Sequence, residues 1–172
     1  MRLLFEMDQK DYNPAGRAFV RPSVRGILLL DGKVAMVHSL KFDYYKFPGG
    51  GIEAGETMEA ALRREVSEEA GLLVIPESIR EYGLVHRVEK SDQPDVEMFV
   101  QDNFYYLCQA EPQIGPQHLD DYEAEERFTL EYVEPEQAIR TNRFHDHGPT
   151  DQQMLEREAR VLELLQQEGY LQ

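Results

Sequence analysis

The chain has 172 residues, enough for one domain with a sizeable core, and its 41% hydrophobic and 30% charged content is ordinary for a soluble globular protein. With 33 acidic against 18 basic residues the formal net charge is −15, which argues against a surface made for duplex nucleic acid or an anionic membrane. A small phosphorylated substrate stays open, because a bound cation reverses the local sign.

Cys108 is the single cysteine, so no internal disulfide forms, and without a disulfide framework the expected compartment is the cytoplasm. It follows the run FYYL and reads as a packed core thiol rather than a nucleophile. The start, MRLLFEMDQKDY, lacks the uninterrupted apolar core of a signal peptide, and no stretch approaches the roughly 20 apolar residues of a membrane span.

Residues 1–20 show little beyond a turn at NPAG, 13–16. Ser23 to Leu30 reads as a largely buried strand. Asp31-Gly32 is a two-residue hairpin loop, and Lys33 to Ser39 is the returning strand. LKFDYYKFPGG then leads to a glycine cluster, Gly49 to Gly51. Its aromatics Phe42, Tyr44, Tyr45 and Phe47 can pack the loop or stack on a base.

Past the glycines the spacing predicts a helix, with Thr57 as N-cap and Gly71 as its left-handed stop. Glu65, Glu68 and Glu69 fall at i, i+3 and i+4, an arc of roughly 100° on one face. Like charges at that spacing repel. A carboxylate ridge beside a glycine loop suits a hard divalent cation and phosphate chemistry. A solvated acidic face has the same pattern.

Leu72 to Pro76 reads as a short strand, followed by long strands near 79–89 and 96–109 joined by KSDQPD. Met98, Val100, Asp102, Phe104, Tyr106 and Cys108 alternate with their neighbours, as expected for a sheet covered on both faces. Residues 111–126 read as an acidic, proline-containing loop. Arg127 to Val133 is another strand, and PEQAIRT starts a helical turn. The segment FHDHGPT sets Asp146 between His145 and His147, which invites a metal reading. Residues 151–168 form an amphipathic helix whose stripe, Leu155, Ala159, Leu162 and Leu165, suits core packing or a homodimer contact. With no repeat and no linker, 1–172 is expected to be one domain, an α/β/α sandwich around a mixed sheet.

The stretch Gly50 to Leu72 resembles the Nudix box, G-x5-E-x7-R-E-U-x-E-E-x-G-U with U a bulky aliphatic. Gly50, Glu56, Arg64, Glu65, Val66, Glu68, Glu69, Gly71 and Leu72 occupy the nine specified positions within 23 residues, so the signal is highly specific. The same α/β/α sandwich is the fold this resemblance implies. It also implies a hydrolase that uses Mg²⁺ or Mn²⁺ to cleave a diphosphate linkage in a nucleoside diphosphate derivative. Water is the nucleophile, so no nucleophilic side chain is needed.

The implied metal ligands are Glu65, Glu68 and Glu69, with a backbone carbonyl of Gly49 or Gly50. Glu65 can instead be the base. Arg64 and Glu56 would orient the ridge by charge-assisted hydrogen bonds. A further carboxylate is expected from the acidic loop, with Glu126 the choice over Glu123 and Glu125. Arg17, Arg21, Arg25, Lys41 and Lys46 precede the box and can meet phosphates. Arg25, Lys46 and Phe47 are the chosen substrate contacts. The rival is a Nudix-like sensor that binds a metabolite without turnover, against which the intact box argues. Relief of charge repulsion further predicts that Glu69→Gln leaves the protein without metal as stable or slightly more stable.

Overall fold

The computed structural model describes residues 1–171. Five strands form the first sheet: β1 (Leu3–Asp8), β2 (Ala18–Val20), β3 (Ser23–Ile27), β8 (Arg80–Lys90) and β9 (Met98–Leu107). The last two are the antiparallel pair expected from the sequence. β1 lies parallel to β8, an element that the first twenty residues did not announce. β2 and β3 both run parallel to β9 in one register, Ala18 opposite Met98 and Ser23 opposite Asn103. Pro22, which has no N–H to donate, interrupts what is otherwise a single edge.

The expected strand 23–30 is two strands that belong to two sheets. After β3, the Ile27 carbonyl accepts Cys108 N–H and the Leu28 carbonyl accepts Ala35 N–H, so the chain crosses at Leu28. The second sheet contains β4 (Leu29–Leu30), β5 (Lys33–Ser39), β6 (Tyr44–Lys46) and β11 (Phe128–Val133). Asp31 and Gly32 both have positive φ, 51° and 78°, and close the predicted hairpin. β7 (Leu72–Val74) pairs with β10 (Ala110–Ile114) in a third small sheet. A 3-10 turn spans Pro76–Ser78.

Four helices cover these sheets: α1 (Met58–Ala70), α2 (Asp121–Glu126), α3 (Pro135–Phe144) and α4 (Gln152–Gln167). Thr57 accepts Ala60 N–H at the start of α1, and Gly71 ends it in the left-handed region at φ 67°. On one side, Leu62 and Val66 of α1 pack on Val24, Leu28 and Ala35. On the other, Val161, Leu162 and Leu165 of α4 pack on Ile27, Met36, Val85 and Tyr105. The strands between are thus buried on both faces, a mixed α/β sandwich as expected. All four residues of the α4 stripe are buried in the core. α2 and β10 replace most of the expected loop at 111–126. Among the described residues no helix is long and apolar enough to cross a membrane.

Candidate active site

Two glycines at the end of the Phe47–Pro48 segment let backbone and carboxylates meet. Gly49 has φ 146°, and a Cβ there would run into the Val24 carbonyl. A Cβ on Gly50 would lie 2.5 Å from Glu65 Oε2. Behind these glycines, a cavity of about 210 Å³ is lined by Gly49, Gly50, Gly51, Glu65 and Glu69, with Arg25 and Lys46 on its strand side. Asp120, Tyr122 and Glu123 of the segment around α2 close it from above.

The three ridge glutamates do not share this cavity equally. At 100° per residue Glu65 is the middle of the arc, with Glu68 on one flank and Glu69 on the other. The Glu69 flank turns into the protein, where the residue is 1% exposed. The Glu68 flank turns outward, and its side chain is 40% exposed. Of the three ridge glutamates, Glu65 and Glu69 line the cavity and Glu68 does not. Among the described residues, no group of three His, Cys, Asp or Glu side chains converges as a metal cage.

Arg64 offsets the repulsion within the ridge. Its Nη1 donates to Glu65 at 2.7 Å and to Glu68 at 3.1 Å. Its Nε and Nη2 grip Glu56 bidentately, both at 2.9 Å, and Nη2 also reaches the Gly51 carbonyl at 3.1 Å. Arg64 thus joins Glu56 to Glu65 and Glu68. The pairing holds the Glu56 carboxyl below the usual carboxylate range. Burial pushes Glu65 above that range despite Arg64.

Glu69 is the most deeply set. One oxygen takes the Lys46 ammonium, and the other accepts Gly49 N–H at 2.9 Å. Burial outweighs the opposing pull of Lys46, Arg25 and Gly49, so its carboxyl is pushed up to about 7. The glycine carbonyls are also engaged: Gly49 O accepts Arg25 Nη1 at 2.7 Å, and Gly50 O accepts Val24 N–H at 3.0 Å. Each carbonyl keeps one lone pair for another partner.

The chosen loop carboxylate is elsewhere. Glu126, at the end of α2, accepts from Ser39 Oγ at 2.8 Å and Tyr44 OH at 2.7 Å and does not line the cavity. Glu125 pairs with Lys41 at the surface. Glu123 is the one of the three that faces the glycines. It is 5% exposed, with its oxygens on Asp120 N–H and Tyr122 OH. Glu123 and Glu126 are about 60° apart around the six-residue α2, and Glu126, one turn further along, is taken up by Ser39 and Tyr44 while Glu123 lines the cavity.

Phe47 does not line the cavity. It is fully buried, edge-on to Tyr105, and its N–H donates to Glu158. Arg25 and Lys46 do reach the cavity. His145 pairs with Asp43, and His147 is buried between the Phe42 and Asn142 carbonyls, so the two share no ligand position. Cys108 is buried, and burial pushes its thiol up to about 12, as suits a core residue.

Sequence reasoning missed a second cavity, of about 430 Å³, which shares Arg21, Arg25, Gln101 and Met154 with the first. Phe19 and Phe99 form one wall, their ring centroids 6.1 Å apart, and the Arg87 guanidinium stands 5.6 Å over the Phe99 ring. A Cβ on Gly51 would lie 3.3 Å from Arg21 Nε, so Arg21 stands at the junction of the two spaces.

The donor set fits a hard divalent cation. Glu65 and Glu69 offer carboxylate oxygens, the glycine carbonyls have spare lone pairs, and no histidine or cysteine lines the cavity.

Known proteins resemble the chain in sequence and in fold. An RNA pyrophosphohydrolase of Acinetobacter baylyi is 40% identical over 86 residues, covering 44% of this chain and 51% of the relative. An ADP-ribose pyrophosphatase of Methanocaldococcus jannaschii is 32% identical over 77 residues, 42% of this chain and 43% of the relative. The chain spans about half or less of the length of these relatives. The fold is similar to the MutT NUDIX hydrolase from Burkholderia pseudomallei, with TM-score 0.58, 15% identity, and coverage of 84% of this chain and 97% of that one. The family model described as NUDIX domain matches residues 20–157, from the end of β2 into α4, and the chain belongs to the NUDIX family.

Proposed function

We propose that the chain is a divalent-metal-dependent hydrolase, with Mg²⁺ or Mn²⁺ as its ion, that cleaves a diphosphate linkage in a nucleotide-type substrate. The observation that carries this reading is the joining of a carboxylate-and-glycine cavity to a cationic, aromatic-walled one through Arg21 and Arg25. Glu65 and Glu69 would hold the cation, with Glu68 on the open flank and the Gly49 or Gly50 carbonyl as a further oxygen. When bound, it would stabilise charge on the phosphoryl oxygens and lower the pKa of a water.

The chain's own groups do the rest. Water adds to one phosphorus, the bridging P–O bond breaks toward the other phosphate, and one proton goes to a carboxylate of the cavity. Glu65 and Glu123 are the candidates for that base. Arg64 fixes Glu65 in place through the bonds described above. Arg21, Arg25 and Lys46 offer positive charge to the phosphates, and Phe19 and Phe99 offer a surface on which a base can stack.

The test is a panel of nucleoside triphosphates, ADP-ribose, nucleotide sugars, dinucleotides and a 5′-triphosphorylated RNA. Each is assayed for phosphate products with Mg²⁺ and with Mn²⁺. Turnover of at least one member, lost in chelator, is the expected result. Tight binding of one member with no turnover of any would convert the reading to a sensor.

A further inference from the structure

A cation already sits on the buried end of the ridge. Lys46 closes β6, its side chain is 7% exposed, and its ammonium pairs with the oxygen of Glu69 that Gly49 leaves free. The same ammonium stands 5.0 Å over the Phe128 ring. A divalent ion on Glu69 would therefore meet a positive charge within a few ångström. In a partly buried site such charges repel far more strongly than in water. Sharing that oxygen would hold ion and ammonium against this repulsion, which favours one cation there over two.

The root of Lys46 is fixed by the strand, and its tip is held by Glu69 alone among the hydrogen-bond acceptors of the described residues. Its backbone is paired with Val37 across β5 and β6, and the preceding Tyr45 is clamped by Asn142 through its N–H and its carbonyl, both at 2.8 Å. The flexible four-carbon stem lets the ammonium move without disturbing the strand. Displaced from Glu69, it stays within the walls of the same cavity, whose remaining carboxylate of similar depth, Glu123, already accepts two hydrogen bonds. The anion that can then receive the ammonium is a phosphate entering past Arg21 and Arg25.

We propose that Lys46 is the resident counter-ion of the site, exchanged from Glu69 onto a substrate phosphate when the divalent ion binds. This rests on the carboxylate cavity being the metal site. Ion and substrate then bind with positive coupling, because each removes a charge conflict that the other creates. By linkage the coupling is the same seen from either ligand. Lys46 acts here as a positioning residue whose charge changes partner.

The experiment measures Mn²⁺ binding by calorimetry at pH 8 for the parent, Lys46→Met, Lys46→Arg, Glu65→Gln and Glu69→Gln, with and without α,β-methylene-ADP as a non-hydrolysed probe. Lys46→Met keeps the stem and removes the charge, so it should bind Mn²⁺ at least about tenfold more tightly when the probe is absent. Lys46→Arg, which keeps the charge, should stay near the parent. The probe should tighten Mn²⁺ binding to the parent several-fold more than it does for Lys46→Met, in which only the direct attraction between ion and diphosphate is left.

A second readout needs no variant. Acetylation of Lys46, followed by mass spectrometry of the parent, should be slow, rise severalfold with Mg²⁺, and fall again when the probe is added. Unchanged or weaker Mn²⁺ binding in a folded Lys46→Met overturns the proposal. Labelling indifferent to Mg²⁺ overturns it as well, whether or not that variant folds. If Glu65→Gln and Glu69→Gln instead bind Mn²⁺ like the parent, the metal site itself is elsewhere and the proposed function fails first.

Discussion

Glu69 and Glu158 are both carboxylates sealed inside this protein, and they are held in opposite electrostatic states. Glu158, on α4, accepts Phe47 N–H at 2.6 Å, Tyr105 OH at 2.9 Å and Arg157 Nε at 2.8 Å. Burial pushes its carboxyl up, yet the adjacent Arg157, with Arg25 and the Phe47 N–H, holds it below the usual range. Glu69, on α1, is equally buried but receives one ammonium and one backbone N–H, and burial wins. Depth alone therefore says nothing about purpose. A carboxylate whose lone pairs are filled by rigid donors fastens the fold, whereas one kept ready at the cost of its own ionisation is available for a ligand.

The largest expected contrast is in turnover. Glu69→Gln should lower kcat by about 10³-fold, the scale of losing one group that stabilises developing charge. Full activity in the variant would place Glu69 with Glu158 among the fasteners.

Stability should sort the pair the other way. Glu158→Gln leaves Arg157 buried with a weakened partner and should cost about 3–5 kcal/mol in denaturant unfolding, with no dependence on Mn²⁺. Glu69→Gln in chelator should cost about 1–3 kcal/mol, because Lys46 loses its carboxylate in a buried place. This replaces the expectation of a neutral or stabilising change, which counted only the repulsion among the ridge carboxylates and not the Lys46 ammonium paired with Glu69. A variant as stable as the parent would restore that view.

Acid titration gives a third contrast, with opposite signs. The Glu69 carboxyl rises from 4.5 to about 7 on folding, so the folded protein keeps a proton that the unfolded chain releases. Its contribution is complete below pH 4.5 and is lost as the pH rises through about 7, by about 3 kcal/mol in chelator. Glu158, depressed on folding, contributes above the carboxylate range and is lost as the pH falls. Unfolding curves at several pH values should show the Glu69 slope disappear in Glu69→Gln and persist in Glu158→Gln.

The smallest contrast separates two neighbours on α2. Glu123→Gln should lower kcat about tenfold if it serves as base or orients one. Glu126→Gln should leave kcat within about twofold and cost about 1 kcal/mol of stability, the worth of its hydroxyl contacts. A reversal would return Glu126 to the site despite its bonds to Ser39 and Tyr44.

What was legible in the sequence was local. Thr57 and Gly71 bound α1, Asp31-Gly32 turned the hairpin, and the leucine stripe of α4 lies in the core, because caps, turns and periodicity act within a few residues. Pairings that are distant in sequence left no such trace. β1 joins β8 across about eighty positions, and its short mixed pattern competes with loop readings. The place of Glu123 depended on a six-residue helix hidden in an acidic run. Lys46 was legible as a cation near phosphates, but its pairing with Glu69 exists only once β6 lies against α1. Phe47 shows the opposite failure: its neighbours suggested a substrate contact, and the sandwich closed over it.

The bond from Phe47 N–H to Glu158 spans 111 residues. During synthesis the Nudix box is complete long before Glu158 leaves the ribosome, and β11, which borders β5, also comes late. Until then the segment leading into Gly49 lacks its bond to Glu158, and the apolar face of α1, with Leu62 and Val66, has only part of its seat. Contacts so far apart in sequence form slowly, because long loops must close before any of them is made. The box segment is therefore translated well before it takes its final shape, and a nascent chain stalled before α4 exposes the surface that aggregation or a chaperone would find first.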